Sequence, residues 1–107
     1  MDTSVPLIAT GMKLELGHSC YRHLTWECVG GTRADATLLA AALPSLGYID
    51  KSYDALIRIF ISVDEHTIVL IPRTGRIQIR IHYLTPVDTR ADAAEKVMTK
   101  LICALAG

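Results

Sequence analysis

Three stretches of alternating apolar and polar residues follow one another in the second half of the chain, separated only by short polar turns. They cover residues 55–63, 67–71 and 76–83, and the second turn holds Pro72 and Gly75. Strands joined by such short turns are antiparallel neighbours. The pattern therefore predicts a three-strand meander.

A similar alternation occurs nearer the start of the chain. Residues 12–16 carry leucine at every second position, and residues 23–29 place Leu24, Trp26 and Cys28 on one side. Period-two alternation of this kind is typical of half-buried strands. We expect these two runs to pair as an N-terminal hairpin.

Two further segments have apolar residues at helical spacing. The first follows Gly30-Gly31; Thr32 and Asp35 have the spacing of a capping box at its start, and Pro44 and Gly47 lie near its end. The second starts at a cap near residues 88–89 and runs to about residue 105. The predicted apolar stripes are Leu38, Leu39, Ala42, Leu43 and Leu46 in the first helix, and Ala94, Val97, Met98, Leu101 and Leu105 in the second.

A helix with a single apolar face packs that face against another element. The sequence thus predicts an α+β fold, an antiparallel sheet with a three-strand meander and two helices packed on one face. The predicted order is β-(β)-α-β-β-β-α. At 107 residues we expect a single domain over residues 1–107, with residues 1–10 as a loosely held N-terminal arm.

Alternation also predicts which side chains of the meander face the helices. Burying an unpaired arginine costs more than exposing it, so the faces that carry isoleucine, 57-59-61 and 77-79-81, are expected to lie inward. The middle strand is apolar on both sides, so its apolar surface is expected to extend onto the outer face. The candidate binding residues predicted for that outer face are Arg58, Phe60, Arg76, Gln78, Arg80 and His82.

Composition narrows the function classes. Half of the residues are apolar, which excludes a disordered chain, and eleven basic residues balance eleven acidic ones. Dedicated nucleic-acid binders usually carry a basic excess, so zero net charge disfavours that class. The chain has no apolar run of membrane-helix length and no signal peptide pattern, and its three cysteines are an odd number. We expect a cytoplasmic protein.

A surface that mixes arginine with apolar and aromatic side chains is typical of protein interfaces. The leading hypothesis is a small cytosolic binding or adaptor module that acts by homo-oligomerisation or by docking a protein partner through this face. The alternative is RNA or single-stranded DNA binding, with arginines on phosphates and Phe60, Tyr83 or Tyr48 stacked on bases.

A second alternative is zinc binding. Two imidazoles and two thiols are a suitable zinc ligand set, and His18, Cys20, His23 and Cys28 lie close together in the sequence. No CxxC knuckle is present, and a free cysteine is often a small buried apolar residue, so no metal or other cofactor is expected. Phosphate loops, GxSxG, HExxH and dinucleotide-binding motifs are all missing, so the sequence does not predict an enzyme.

Overall fold

The computed structural model describes residues 13–16 and 24–106, and these form one antiparallel sheet with two helices on one side. The elements are β1 (Lys13–Leu16), β2 (Thr25–Val29), α1 (Arg33–Ala42), a 3₁₀ helix (Leu43–Leu46), β3 (Ile49–Asp50), β4 (Arg58–Ile61), β5 (Thr67–Ile71), β6 (Arg76–Arg80), a second 3₁₀ helix (Val87–Thr89) and α2 (Arg90–Ala106). The six strands lie in the order β1-β2-β6-β5-β4-β3. The predicted fold class is confirmed, with one short strand, β3, added in the connector. In the described part of the chain, neither helix has the length and apolar character needed to cross a bilayer.

The two expected hairpin systems are joined edge to edge. Strand β1 pairs antiparallel with β2, and Leu16 lies opposite Trp26. Trp26 lies in turn opposite Ile79 of β6, which continues the sheet into the meander. The N-terminal hairpin predicted from the alternation is therefore confirmed, and it lies beside the last strand of the meander.

Helix α1 begins at the predicted capping box. The Thr32 hydroxyl accepts the Asp35 N–H at 3.1 Å, and the Asp35 carboxylate accepts the Thr32 N–H at 3.0 Å. At the other end Pro44 lies in a 3₁₀ helix, and Gly47 ends it with a left-handed φ of 94°. Because the tighter 3₁₀ turn changes the angular position of each following residue, Leu46 falls outside the buried stripe.

The apolar stripe of α1 differs from the prediction, whereas that of α2 agrees with it. Leu39 and Leu43 are buried as predicted, but Leu38 and Leu46 are exposed, and Ala36 is buried in addition. In α2 the stripe is Ala94, Val97, Met98, Leu101 and Ile102, with Leu105 partly buried. These residues cover the inner face of the sheet, where the fully buried strand residues are Phe60, Ile68, Leu70, Ile77 and Ile79.

The predicted inward face of the first meander strand is wrong. Phe60 lies opposite Ile68, which lies opposite Ile79, and all three are completely buried on the helical side. Ile59 lies opposite Val69 on the other side of the sheet. The predicted inward face of the third strand is confirmed by the burial of Ile77 and Ile79.

The error has a physical cause in the connector that precedes β4. Arg58 shares the side of Phe60, but its guanidinium donates to the Asp50 carboxylate at 2.6 Å and to the Ser52 hydroxyl at 3.1 Å. An arginine with these partners escapes the penalty of an unpaired buried charge. Burial of the large Phe60 ring then determines which face of β4 lies inward.

Candidate functional site

The sheet has an outer face, opposite the helices, built from three cross-strand rows. One row runs from Thr25 through Arg80 and Thr67 to Ile61, and the central row from Glu27 through Gln78 and Val69 to Ile59. The third row contains Arg76 and Ile71. The outer-face side chains of β2 and β6 are thus polar, and those of β5 and β4 are apolar except for Thr67.

The polar half of the outer face is a connected hydrogen-bond network. The Glu27 carboxylate accepts from Arg76 Nε and Nη2 at 3.1 and 3.0 Å, and from Gln78 Nε2 at 2.6 Å. The Gln78 carbonyl oxygen accepts from Arg80 Nε at 2.9 Å. These bonds hold four side chains in fixed orientations, and no described residue accepts from the terminal nitrogens of Arg80.

The network also fixes the charge on Glu27. Partial burial alone raises the pKa of this carboxyl, but the hydrogen bonds from Arg76 and Gln78 outweigh it and lower the pKa below its ordinary value. The hydrogen bonds that Arg76 donates to Glu27 in turn raise the pKa of Arg76. Both groups are therefore charged near neutral pH and largely compensate each other.

A groove of about 330 Å³ runs along the boundary between the two halves. Its apolar side consists of Ile57, Val69 and Ile71, and its polar side consists of Arg76, Gln78 and Arg80. Ile57 is 46 % exposed, whereas Val69 at the floor is only 8 % exposed. The groove can accept apolar side chains from a partner while Arg80 donates hydrogen bonds at its rim.

The structure brings together three of the six predicted binding residues. Arg76, Gln78 and Arg80 line the groove. Arg58 and Phe60 are on the opposite side of the sheet, so their assignment to the outer face is corrected. His82 lies beyond the end of β6, where its Nε2 is 3.3 Å from Glu65 Oε1.

Sequence reasoning missed the apolar half of the groove. Ile57 and Ile59 were expected beneath the helices, and Glu27 was not expected to organise Arg76. The one signal in the sequence for this apolar half was the middle strand, residues 67–71. It is apolar at both alternating sets of positions, so some of its apolar side chains had to lie on the outer face.

The residues proposed for base stacking are mostly inaccessible. Phe60 is fully buried and Tyr48 is 7 % exposed, so neither can stack on a base. Tyr83 is exposed, but it lies past the end of β6. Among residues 13–16 and 24–106, the outer face therefore offers arginines without aromatic side chains between them.

The proposed zinc ligands fall mainly outside the described residues, which do not include His18, Cys20 or His23. Cys28 is described and buried, and burial raises the pKa of its thiol to about 12. Over residues 13–16 and 24–106, no three or more His, Cys, Asp or Glu side chains cluster as a metal site.

No protein family, curated protein or solved structure matches the chain. The function is accordingly argued from the geometry of the outer face.

Proposed function

We propose that this chain is a small binding module that assembles with a second copy of itself, outer face against outer face. The observation that carries this proposal is the groove, where exposed isoleucine lies beside a preorganised row of Arg76, Gln78 and Arg80. Interface cores combine apolar side chains with arginine in this way. A cytoplasmic setting is part of the proposal, since both described cysteines, Cys28 and Cys103, are free thiols.

The size of the outer face suits a partner sheet. Six strands about 4.8 Å apart, each rising about 3.4 Å per residue, give a footprint of roughly 25 by 17 Å before side-chain relief is counted. With that relief the accessible area is of the same order as the roughly 800 Å² per partner of a stable interface. Two twisted sheets can stack with their inner side chains interdigitated, as in a sandwich.

The charge distribution favours a copy over a strongly charged partner. The chain carries no net charge, and Glu27 and Arg76 neutralise each other on the face itself. Two such faces can therefore pack together without strong repulsion. A polyanion would bind weakly, because of the two arginines that line the groove Arg76 is paired with Glu27 and Arg80 alone has no described carboxylate partner.

Sedimentation velocity at tens of micromolar tests the proposal with a matched pair of variants. Ile57→Lys places a charge in the groove, and Leu38→Lys places one on an exposed part of α1. The two side chains are similarly exposed, Ile57 at 46 % and Leu38 at 56 %. We expect wild type and Leu38→Lys to sediment as dimers and Ile57→Lys as a monomer.

A monomeric wild type, or equal dissociation of both variants, would overturn the proposal. A monomer that Ile57→Lys destabilises would instead indicate that another part of the same chain covers the face. Filter binding to single-stranded RNA at low ionic strength tests the nucleic-acid alternative. That alternative requires the protein to retain RNA on the filter, with an affinity that falls steeply as salt is added.

A further inference from the structure

Two adjoining cavities lie on the helical side of the molecule, between the β4–β5 turn and α2. The inner cavity measures about 100 Å³ and the outer, open cleft about 780 Å³. They share four lining residues, Asp64, His66, Val97 and Lys100. This pair of cavities is distinct from the groove on the outer face, and no part of the proposed dimer uses it.

Tyr48 gives the inner cavity an unpartnered hydroxyl. Its backbone N–H donates to the Leu43 carbonyl at 3.1 Å, and the residue is only 7 % exposed. Within residues 13–16 and 24–106 its phenol makes no hydrogen bond, and it lines the inner cavity. The ring is buried while the hydroxyl keeps access to the cavity, so it can donate a hydrogen bond to a polar group that enters there.

His66 supplies a second donor with a fixed tautomer. Its Nδ1 accepts the backbone N–H of His82 at 3.0 Å, so the neutral ring carries its hydrogen on Nε2. The backbone N–H of His66 donates to the Ser62 hydroxyl at 3.2 Å, which helps to hold the ring in place. No described residue accepts from this Nε2–H, which can therefore donate to a ligand in the cavities that His66 lines.

Two opposite charges complete the lining. In the described part of the chain neither Asp64 nor Lys100 forms an ion pair. A carboxylate and an ammonium that line one cavity without pairing with each other can each bind the opposite charge of a ligand. Asp92, Glu95 and Lys96 also line the outer cleft, so its lining carries three carboxylates against two ammonium groups, and this balance does not favour multiply charged anions.

We propose that these cavities bind a small zwitterion of the α-amino-acid class. Lys100 and the Nε2–H of His66 hold its carboxylate, Asp64 holds its ammonium group, and the Tyr48 hydroxyl donates to the carboxylate from the inner cavity. The ligand side chain extends into the open cleft along Val97. This site is independent of the proposed dimer.

Backbone amide NMR shifts during titration with L-alanine test the site, with propionate and ethylamine as matched ligands that each lack one charged group. We expect L-alanine at millimolar concentrations to shift the amides of residues 64–67 and 96–100. Propionate and ethylamine should bind at least about tenfold more weakly, as expected from the loss of one charged hydrogen-bonding pair.

Three variants test the assignment of the protein groups. Tyr48→Phe keeps the ring and removes only the hydroxyl, and Lys100→Gln removes the ammonium; each should weaken L-alanine binding about five- to tenfold. Lys51→Gln, an exposed position remote from the cavities, should bind as wild type does. The proposal is overturned if L-alanine shifts nothing at tens of millimolar, if propionate binds as tightly, or if the first two variants leave binding unchanged.

Discussion

Removing the Phe60 ring is the sharpest test of the corrected sheet orientation. Phe60 is completely buried against the helices, with the Arg58 guanidinium carbon 5.3 Å from the ring centroid. Truncation of a buried phenylalanine costs about 3–5 kcal/mol, which is a large part of the roughly 5–15 kcal/mol of a typical domain. Phe60→Ala should therefore lower the free energy of unfolding by that amount.

The neighbouring Ile59 provides the matched control, since it lies on the outer face and is only half-buried. Ile59→Ala should lower the free energy of unfolding by only roughly 1–2 kcal/mol, because a half-buried side chain keeps less apolar area away from water. Urea unfolding followed by far-ultraviolet circular dichroism, at a concentration below the dimer range, measures both. Should Phe60→Ala fail to fold, Phe60→Leu should cost roughly 1–1.5 kcal/mol. A loss below about 1 kcal/mol for Phe60→Ala, or a larger loss for Ile59→Ala, would refute the orientation.

Three further predictions concern a turn, a histidine and the groove. Gly75 has φ 80°, and an added Cβ would lie 2.7 Å from the Thr32 carbonyl carbon. Gly75→Ala should therefore lower the free energy of unfolding in urea by roughly 1–3 kcal/mol, and a loss of only a few tenths of a kcal/mol would contradict this. Desolvation holds the pKa of His66 below its ordinary 6.5, so the unfolded chain takes up the proton first and stability should fall as pH drops through 6.5. His66→Gln should flatten that slope in pH-dependent unfolding, and an unchanged slope would exclude His66 as its source. Arg80→Glu sets a second carboxylate beside the Glu27–Gln78 network and should weaken dimerisation in sedimentation; an unaffected dimer would remove Arg80 from the interface.

Local signals in the sequence predicted the local structure well. The capping box at Thr32 and Asp35 formed as expected, because both partners lie within one helical turn. The stripe of α2 was recoverable because its 17 residues repeat the helical period several times. The β1–β2 hairpin followed from alternation alone, since its strands share one buried side.

The failures arise where the deciding partner lies elsewhere in the chain. The orientation of β4 depends on Asp50 and Ser52, which accept hydrogen bonds from Arg58 across a loop. Nothing in the alternation of residues 55–63 records those partners. The polar half of the groove likewise depends on Glu27, which is 49 positions from Arg76 in the chain.

The cavities beside α2 show the same limit. They join Tyr48, the turn at residues 62–66 and the helix at Lys100, three segments that only the folded chain brings together. Each residue alone is unremarkable in the sequence. Only the tertiary structure brings two neutral donors and two opposite charges to the lining of the same cavities.

A distance measurement between two copies tests the proposed assembly most directly. Spin labels at Thr67→Cys, on the outer face but outside the groove, and at Ala91→Cys on exposed α2 would be compared by pulsed dipolar spectroscopy, with Cys20 and Cys103 replaced by serine and the buried Cys28 kept. Face-to-face packing places the two sheets about 10 Å apart and adds a helical layer of about 10 Å on each side. The account predicts a short distance between Thr67 labels and a distance longer by roughly 20 Å between Ala91 labels. A short Ala91 distance, or no dipolar coupling at either position, would contradict it.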